Sequence, residues 1–208
     1  MRPTSMDLSS TPSSTHDRTR CDVRALCSQR LREQQLQEPT RQGGARVVPN
    51  VHHLILNDPT GAMIETTEDE LERVFETSVI NNLVLIEGFL PIMAAQGGGS
   101  IVVTSSIAAV RANRKLAAYG AGKAALNSLV RNIAAEWGAQ GMRANAVAPA
   151  TVRTRFSEVL WSDPGRERDA GRIADPQEVV GAVLLFASDA GSYISGQTLL
   201  VDGARSIL

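Results

Sequence analysis

The sequence predicts a doubly wound α/β domain built on a parallel sheet. Two observations carry this. Short apolar runs such as Ile101–Val103 alternate with helical segments of ten or more residues, and runs apolar throughout mark strands covered on both faces. Strands separated by helices of that length imply βαβ crossovers. The chain has 208 residues, 43% of them apolar and 21% charged, which suffices for one globular domain with a core.

Residues 1–20 contain eleven Ser, Thr or Pro, with only Met1, Met6 and Leu8 apolar, and read as a disordered tail. Residues 21–208 are taken as the domain. Arg and Gln dominate from Cys21 to Gln42, where Arg24–Gln37 can form a polar helix with a thin seam of Leu26, Leu31 and Leu36. Val51–Asn57 ends in a β-type apolar run, closed by the turn signal Asp58-Pro59-Thr60-Gly61.

Thr67 followed by Glu70 is a capping box, so a long helix starts near residue 68. Leu71, Phe75, Val79, Leu83, Ile86, Leu90 and Met93 recur at helical spacing as its core-facing set, until Gly97–Gly99 stop the pattern. Val74, Ile80, Val84 and Ile92 add apolar surface beyond one buried stripe. That excess predicts a homodimer or homotetramer formed through this helix.

Ile101–Val103 follows as a strand. A second helix runs from about Ala118 to Trp137, with a turn at Gly138 and a strand around Ala144–Val147. Asp175-Pro176-Gln177-Glu178 sets an N-cap, a first-turn Pro and an N3 Glu in order, opening a third helix that reaches Phe186. Gly196–Val201 closes the chain as a strand.

Balanced charge, 21 basic against 22 acidic side chains, gives no field of one sign, so no nucleic-acid or membrane partner is expected. Cys21 and Cys27 match no zinc spacing. His52 and His53 are adjacent on a strand and point to opposite faces, so no metal site is expected. Residues 1–20 carry no apolar run of the kind a signal peptide needs, and the uncharged stretch Gly88–Val110 is broken by Pro91 and Gly97–Gly99. A cytoplasmic location follows as the expectation.

The chemistry centres on Tyr119 and Lys123. Only two lysines and two tyrosines occur, and one of each stand four residues apart. On a helix they share one face. A fixed cation near the phenol favours the phenolate, which suits Tyr119 to proton transfer at an alcohol or carbonyl oxygen. A surface Tyr beside a solvated Lys on an amphipathic helix has the same spacing, which does not separate the two readings. Thr104-Ser105-Ser106 ends a strand, and in open α/β sheets the carboxyl ends of strands are where ligands bind.

The order strand, Ser-Ser, loop, Tyr-x-x-x-Lys, helix, strand, Asn-Ala-Val-Ala-Pro resembles the short-chain dehydrogenase/reductase family, closely over residues 99–203. Ser106, thirteen residues before Tyr119, stands at that family's serine interval. The resemblance implies a Rossmann-type fold and hydride transfer between NAD or NADP and a small-molecule secondary alcohol or ketone. Carried over by position, Tyr119 is the acid/base and Ser106 holds the substrate oxygen. Lys123 lowers the Tyr119 pKa and binds the nicotinamide ribose. Val152 and Thr154 meet the nicotinamide carboxamide, Asp22 contacts the adenine, and Asn57 matches the first residue of the turn after the fourth strand. Phe156, Leu160 and Trp161 fall in the family's mobile segment, as pocket lining or as ordinary core.

Several positions depart from the family pattern. Ala150 and Ala204 replace common glycines, and Ser78 stands where the family's catalytic asparagine falls. Before residue 61 the glycines are Gly43 and Gly44 alone, so no glycine-rich phosphate turn can be written there. On this alignment the chain lacks the first βαβ unit, as a truncated or divergent member. The competing expectation is a non-catalytic, dimer-forming relative or gene fragment.

Overall fold

The computed structural model describes residues 63–113, 116–162 and 172–207. The tail, the helix expected over 24–37, the strand expected over 51–57, and Cys21, Asp22, Cys27, His52, His53 and Asn57 lie outside the described residues.

Helix α1 (Glu68–Phe75) starts where its capping residue predicts: Thr67 Oγ1 accepts the Glu70 N–H at 3.2 Å. It passes through a π-helical turn, Glu76–Ile80, into α2 (Asn81–Ala95). Strand β1 is Gly99–Thr104, helix α3 is Ala117–Trp137 and strand β2 is Met142–Pro149. A short helix α4 (Glu158–Trp161), helix α5 (Gln177–Ala187) and strand β3 (Thr198–Val201) complete the domain. At the start of α5, Glu178 Oε2 accepts the Asp175 N–H at 2.9 Å, the reciprocal half of the expected cap.

The three strands form a parallel sheet in the order β1-β2-β3, with Ile101 opposite Ala144 and Ala146 opposite Thr198. Alternation along β1 sends Ile101 and Val103 to one face, where they join Leu90, Met93, Leu126 and Val130 under α2 and α3. Val102 goes to the other face and joins Val147 and Phe186 under α5. Helices on both faces make this the doubly wound, Rossmann-like arrangement. Asn145 locks β2 to the chain entering β3: its Nδ2 donates to Ile194 O at 2.8 Å and its Oδ1 accepts the Gln197 N–H at 3.0 Å.

The long N-terminal helical run buries Ile86, Leu90 and Met93 of the expected stripe, but its first half turns a different face inward. Val74, Ser78, Asn82, Ile86, Leu90 and Met93 are buried, while Leu71 is 40% and Ile80 52% exposed. The buried positions recur every four residues from 74 to 90, slower than the 3.6-residue period of an α-helix. The π turn supplies that slack. Close approach to α3 then selects small side chains: a Cβ on Gly122 would meet Val74 Cγ1 at 2.8 Å and Ser78 Cβ at 3.5 Å. By length and composition this run could also cross a membrane, but its inner face lies in the core and it leads directly into β1.

Candidate active site

The sheet pairing of β1 and β2 carries past the strand end, where the Ser105 N–H reaches Val147 O at 2.7 Å. The next residue, Ser106, leaves the sheet in extended geometry and caps a 3-10 turn, Ile107–Ala109. Its Oγ accepts the Ala108 N–H at 3.2 Å, which fixes the hydroxyl at the carboxyl end of the sheet. Tyr119 stands in the first turn of α3. That helix docks on the 3-10 turn because Gly120 faces Ala108 O, where a Cβ would lie only 2.7 Å away. The docking brings the Tyr119 phenol into a hydrogen bond with Ser106.

Lys123, one helical turn on, is 1% exposed. Its Nζ donates to Thr104 O at 3.0 Å and lies 5.6 Å from the centre of the Tyr119 ring. Burial lowers the Lys123 pKa to about 7. Burial also pushes the Tyr119 phenol up, and the hydrogen bond from Ser106 opposes this. The sign for Tyr119 is thus opposite to the one expected from the spacing: desolvation of the phenolate dominates, and Lys123, itself lowered to about 7 by burial, is not a fixed cation where a phenol titrates.

A cavity of about 380 Å³ opens over these groups, lined by Ser106, Tyr119, Val152 and Thr154 among others. Val152 and Thr154 belong to the segment leaving β2. It is held by a parallel bridge from Val152 to Ala174, and by Ser157, whose Oγ bonds Val152 O and lies 3.0 Å from Thr154 Oγ1. Phe156 and Leu160 line the cavity as well. Trp161 braces the segment from behind: its Nε1 donates to Thr154 O at 2.8 Å and the Arg153 guanidinium sits over its ring at 5.5 Å. The structure therefore brings Ser106, Tyr119, Lys123, Val152 and Thr154 together.

Other site residues were not legible in the sequence. Asn113, Leu116 and Arg205 line the same cavity. Arg205 is 86 residues from Tyr119 in the chain, and no spacing rule joins the two. At the position matching the family's asparagine, Ser78 is buried, and Asn82 Nδ2 donates to Ser78 O at 2.8 Å within its own helix. Asn82 is thus committed to the backbone of the π turn.

The comparisons with known proteins agree with this geometry. A family model described as enoyl-(acyl carrier protein) reductase matches residues 34–204. A dehydrogenase/reductase SDR family member 4 from Bos taurus is 37% identical over 149 residues, covering 69% of this chain and 53% of that protein. A tropinone reductase homolog from Arabidopsis thaliana is 41% identical over 122 residues, covering 56% of this chain and 46% of that protein. The chain thus spans about half the length of the curated relatives it matches. Among solved structures, a candidate NAD(P)-dependent gluconate 5-dehydrogenase from Beutenbergia cavernae, with NADP bound at low occupancy, superposes with a TM-score of 0.76 and 29% identity. That superposition covers 89% of this chain and 72% of that one. With a model match over most of the chain, a doubly wound parallel sheet, and Ser106, Tyr119 and Lys123 gathered at its carboxyl edge, the chain belongs to the short-chain dehydrogenase/reductase family.

Proposed function

We propose that this site interconverts a secondary alcohol and a ketone with NAD or NADP as the redox partner. The observation that carries the reading is the Ser106–Tyr119 hydrogen bond, set against buried Lys123, at the floor of a cavity at the carboxyl ends of parallel strands. The donor set suits the nicotinamide end of a dinucleotide: Tyr119 and Lys123 would hold the ribose, and Val152 and Thr154 the carboxamide. When bound, the dinucleotide supplies or accepts a hydride at the substrate carbon.

The chain's own residues manage the oxygen. With substrate bound, the single Ser106 hydroxyl proton turns from Tyr119 to the substrate carbonyl and fixes its position beside the phenol. A phenol is protonated at neutral pH and burial pushes Tyr119 further that way, so in reduction Tyr119 gives its proton to the carbonyl oxygen. Lys123, whose pKa burial lowers to about 7, favours the phenolate that remains when it is protonated, and the apolar cavity wall excludes water.

The same reading makes the chain self-associating. The outer side of α1 and α2, with Leu71 and Ile80 exposed, offers the apolar surface for a homodimer or homotetramer.

Replacing Tyr119 by Phe tests the catalytic reading. With excess NADPH, ketone reduction should fall by about 10²- to 10⁴-fold, the usual contribution of a positioned acid, while nucleotide binding persists. Retention of most of the turnover would overturn the assignment.

A further inference from the structure

We propose that Asn113 binds a second, uncharged oxygen on the substrate, a hydroxyl or carbonyl beyond the one that reacts, on a molecule that is otherwise apolar. The inference rests on the oxidoreductase reading of the cavity given above and deepens it by naming the substrate class.

The polar side chains of the cavity wall are committed to partners within the chain, with one exception. Ser106 and Tyr119 bond each other. Thr154 Oγ1 and Ser157 Oγ lie 3.0 Å apart, and Ser157 Oγ also bonds Val152 O. Thr151 Oγ1 accepts from Arg205 at 3.2 Å, and Ser105 Oγ reaches Lys123 O at 3.5 Å. Thr104 and Arg205 are engaged as well. Asn113 is the exception: it lines the cavity, and among the described residues its side-chain amide takes no hydrogen bond.

An amide brings two N–H donors and an acceptor oxygen. Asn113 is half-buried, and beside an apolar cavity such a group gains more from a partner than it does in open water. Much of the remaining wall is apolar, including Ile107, Leu116, Leu160 and Val179. A molecule seated there is apolar over most of its surface, and a single polar contact sets its orientation.

The main chain on either side of Asn113 is fixed. The Arg111 N–H donates to Ile107 O at 2.8 Å, and the Arg111 guanidinium donates to Arg205 O, tying this connection to the C-terminal turn. Asn113 O accepts the Leu116 N–H at 3.3 Å, and Leu116 O accepts the Gly120 N–H at 2.8 Å in the first turn of α3. Asn113 therefore lies on the connection from β1 to α3, between Ser106 and Tyr119, the two residues that handle the reacting oxygen. Val152 and Thr154, assigned above to the carboxamide, leave the neighbouring strand β2. Asn113 thus belongs to the substrate's side of the cavity.

The test uses two matched pairs of ketones: propiophenone with its α-hydroxy derivative, and benzylacetone with its para-hydroxy derivative. The first pair sets the added oxygen beside the carbonyl and the second sets it at the far end of the molecule. Binding to the full chain is measured by calorimetry or saturation-transfer NMR. The wild type should favour the hydroxylated member of at least one pair by about three- to tenfold, the weight of one neutral hydrogen bond. Asn113→Leu should remove that preference. The ratio within a pair does not change with a general loss of folded protein, so a merely structural role for Asn113 would leave it in place. No preference in either pair, binding of none of the four at millimolar concentration, or a preference that survives Asn113→Leu would overturn the proposal. Should that variant fail to fold, Asn113→Ala decides in the same way. Tyr119→Phe, followed by turnover with excess NADPH, tests the oxidoreductase reading separately. Undiminished turnover by that variant, with a hydroxyl preference still dependent on Asn113, would leave the subsite standing and the chemistry wrong.

Discussion

Lys123 donates from Nζ to the main-chain carbonyl of Thr104 across 3.0 Å, tying the middle of α3 to the last residue of β1. One cation thus supports the strand end from which Ser106 emerges, and it does so from the interior. Burial makes it a titrating group in the neutral range.

The first prediction follows from that burial. Lys123 has a folded pKa of about 7 against an ordinary value of 10.5. Between these values the unfolded chain binds more protons than the folded one, so stability rises with pH through this window. From pH 7 to 9 the contribution is roughly 2 kcal/mol. Urea denaturation at the two pH values should show the rise, and Lys123→Met should remove it. An equal rise in the variant would mean that other groups produce it.

The second concerns the Ser106–Tyr119 bond. That bond lowers a phenol pKa which burial raises, so Ser106→Ala should move it further up. The sequence has two tyrosines. In a Tyr193→Phe background, ultraviolet titration reads Tyr119 alone. A downward shift would show that the bond does not stabilise the phenolate.

The third tests the docking of α3. Gly120→Ala places a Cβ 2.7 Å from the Ala108 carbonyl, a backbone atom that cannot swing away. Strain of about 1–3 kcal/mol is expected, together with a weaker Ser106–Tyr119 contact, because the same turn fixes Ser106 through the Ala108 N–H. Gly138→Ala is the control. Its φ of −59° suits any residue and its Cβ meets nothing within 4 Å, so denaturation should show no loss of stability.

The fourth concerns Asn145, which is 0% exposed. Asn145→Ala leaves Ile194 O and the Gln197 N–H without their partner. Unpaired buried groups cost about 1–3 kcal/mol each, so a loss of roughly 2–4 kcal/mol is expected in equilibrium denaturation. A loss below about 1 kcal/mol would mean that water enters and replaces the amide.

The fifth concerns assembly. Ile80 is 52% exposed on the outer side of the long helical run. Ile80→Asp should lower the mass measured by light scattering at micromolar concentration while leaving the circular dichroism spectrum intact. A wild type that is already monomeric would remove the self-association reading.

The sequence alone determined the elements and the polarity of the sheet. Thr67 and Glu70 announce the start of α1, the apolar run of β1 announces a strand covered on both sides, and Tyr119 and Lys123 announce a shared helical face. These are local properties, fixed by hydrogen-bonding side chains and by periodicity. Tertiary structure decided the rest. The stripe through Val74, Ser78 and Asn82 is buried in place of Leu71, Phe75 and Val79, because a π turn and a glycine on the facing helix set how closely two helices approach. The Tyr119 phenol is pushed up, because desolvation depends on every atom packed around it. Arg205 enters the cavity, because contacts between positions far apart in the chain have no sequence period by which to be read.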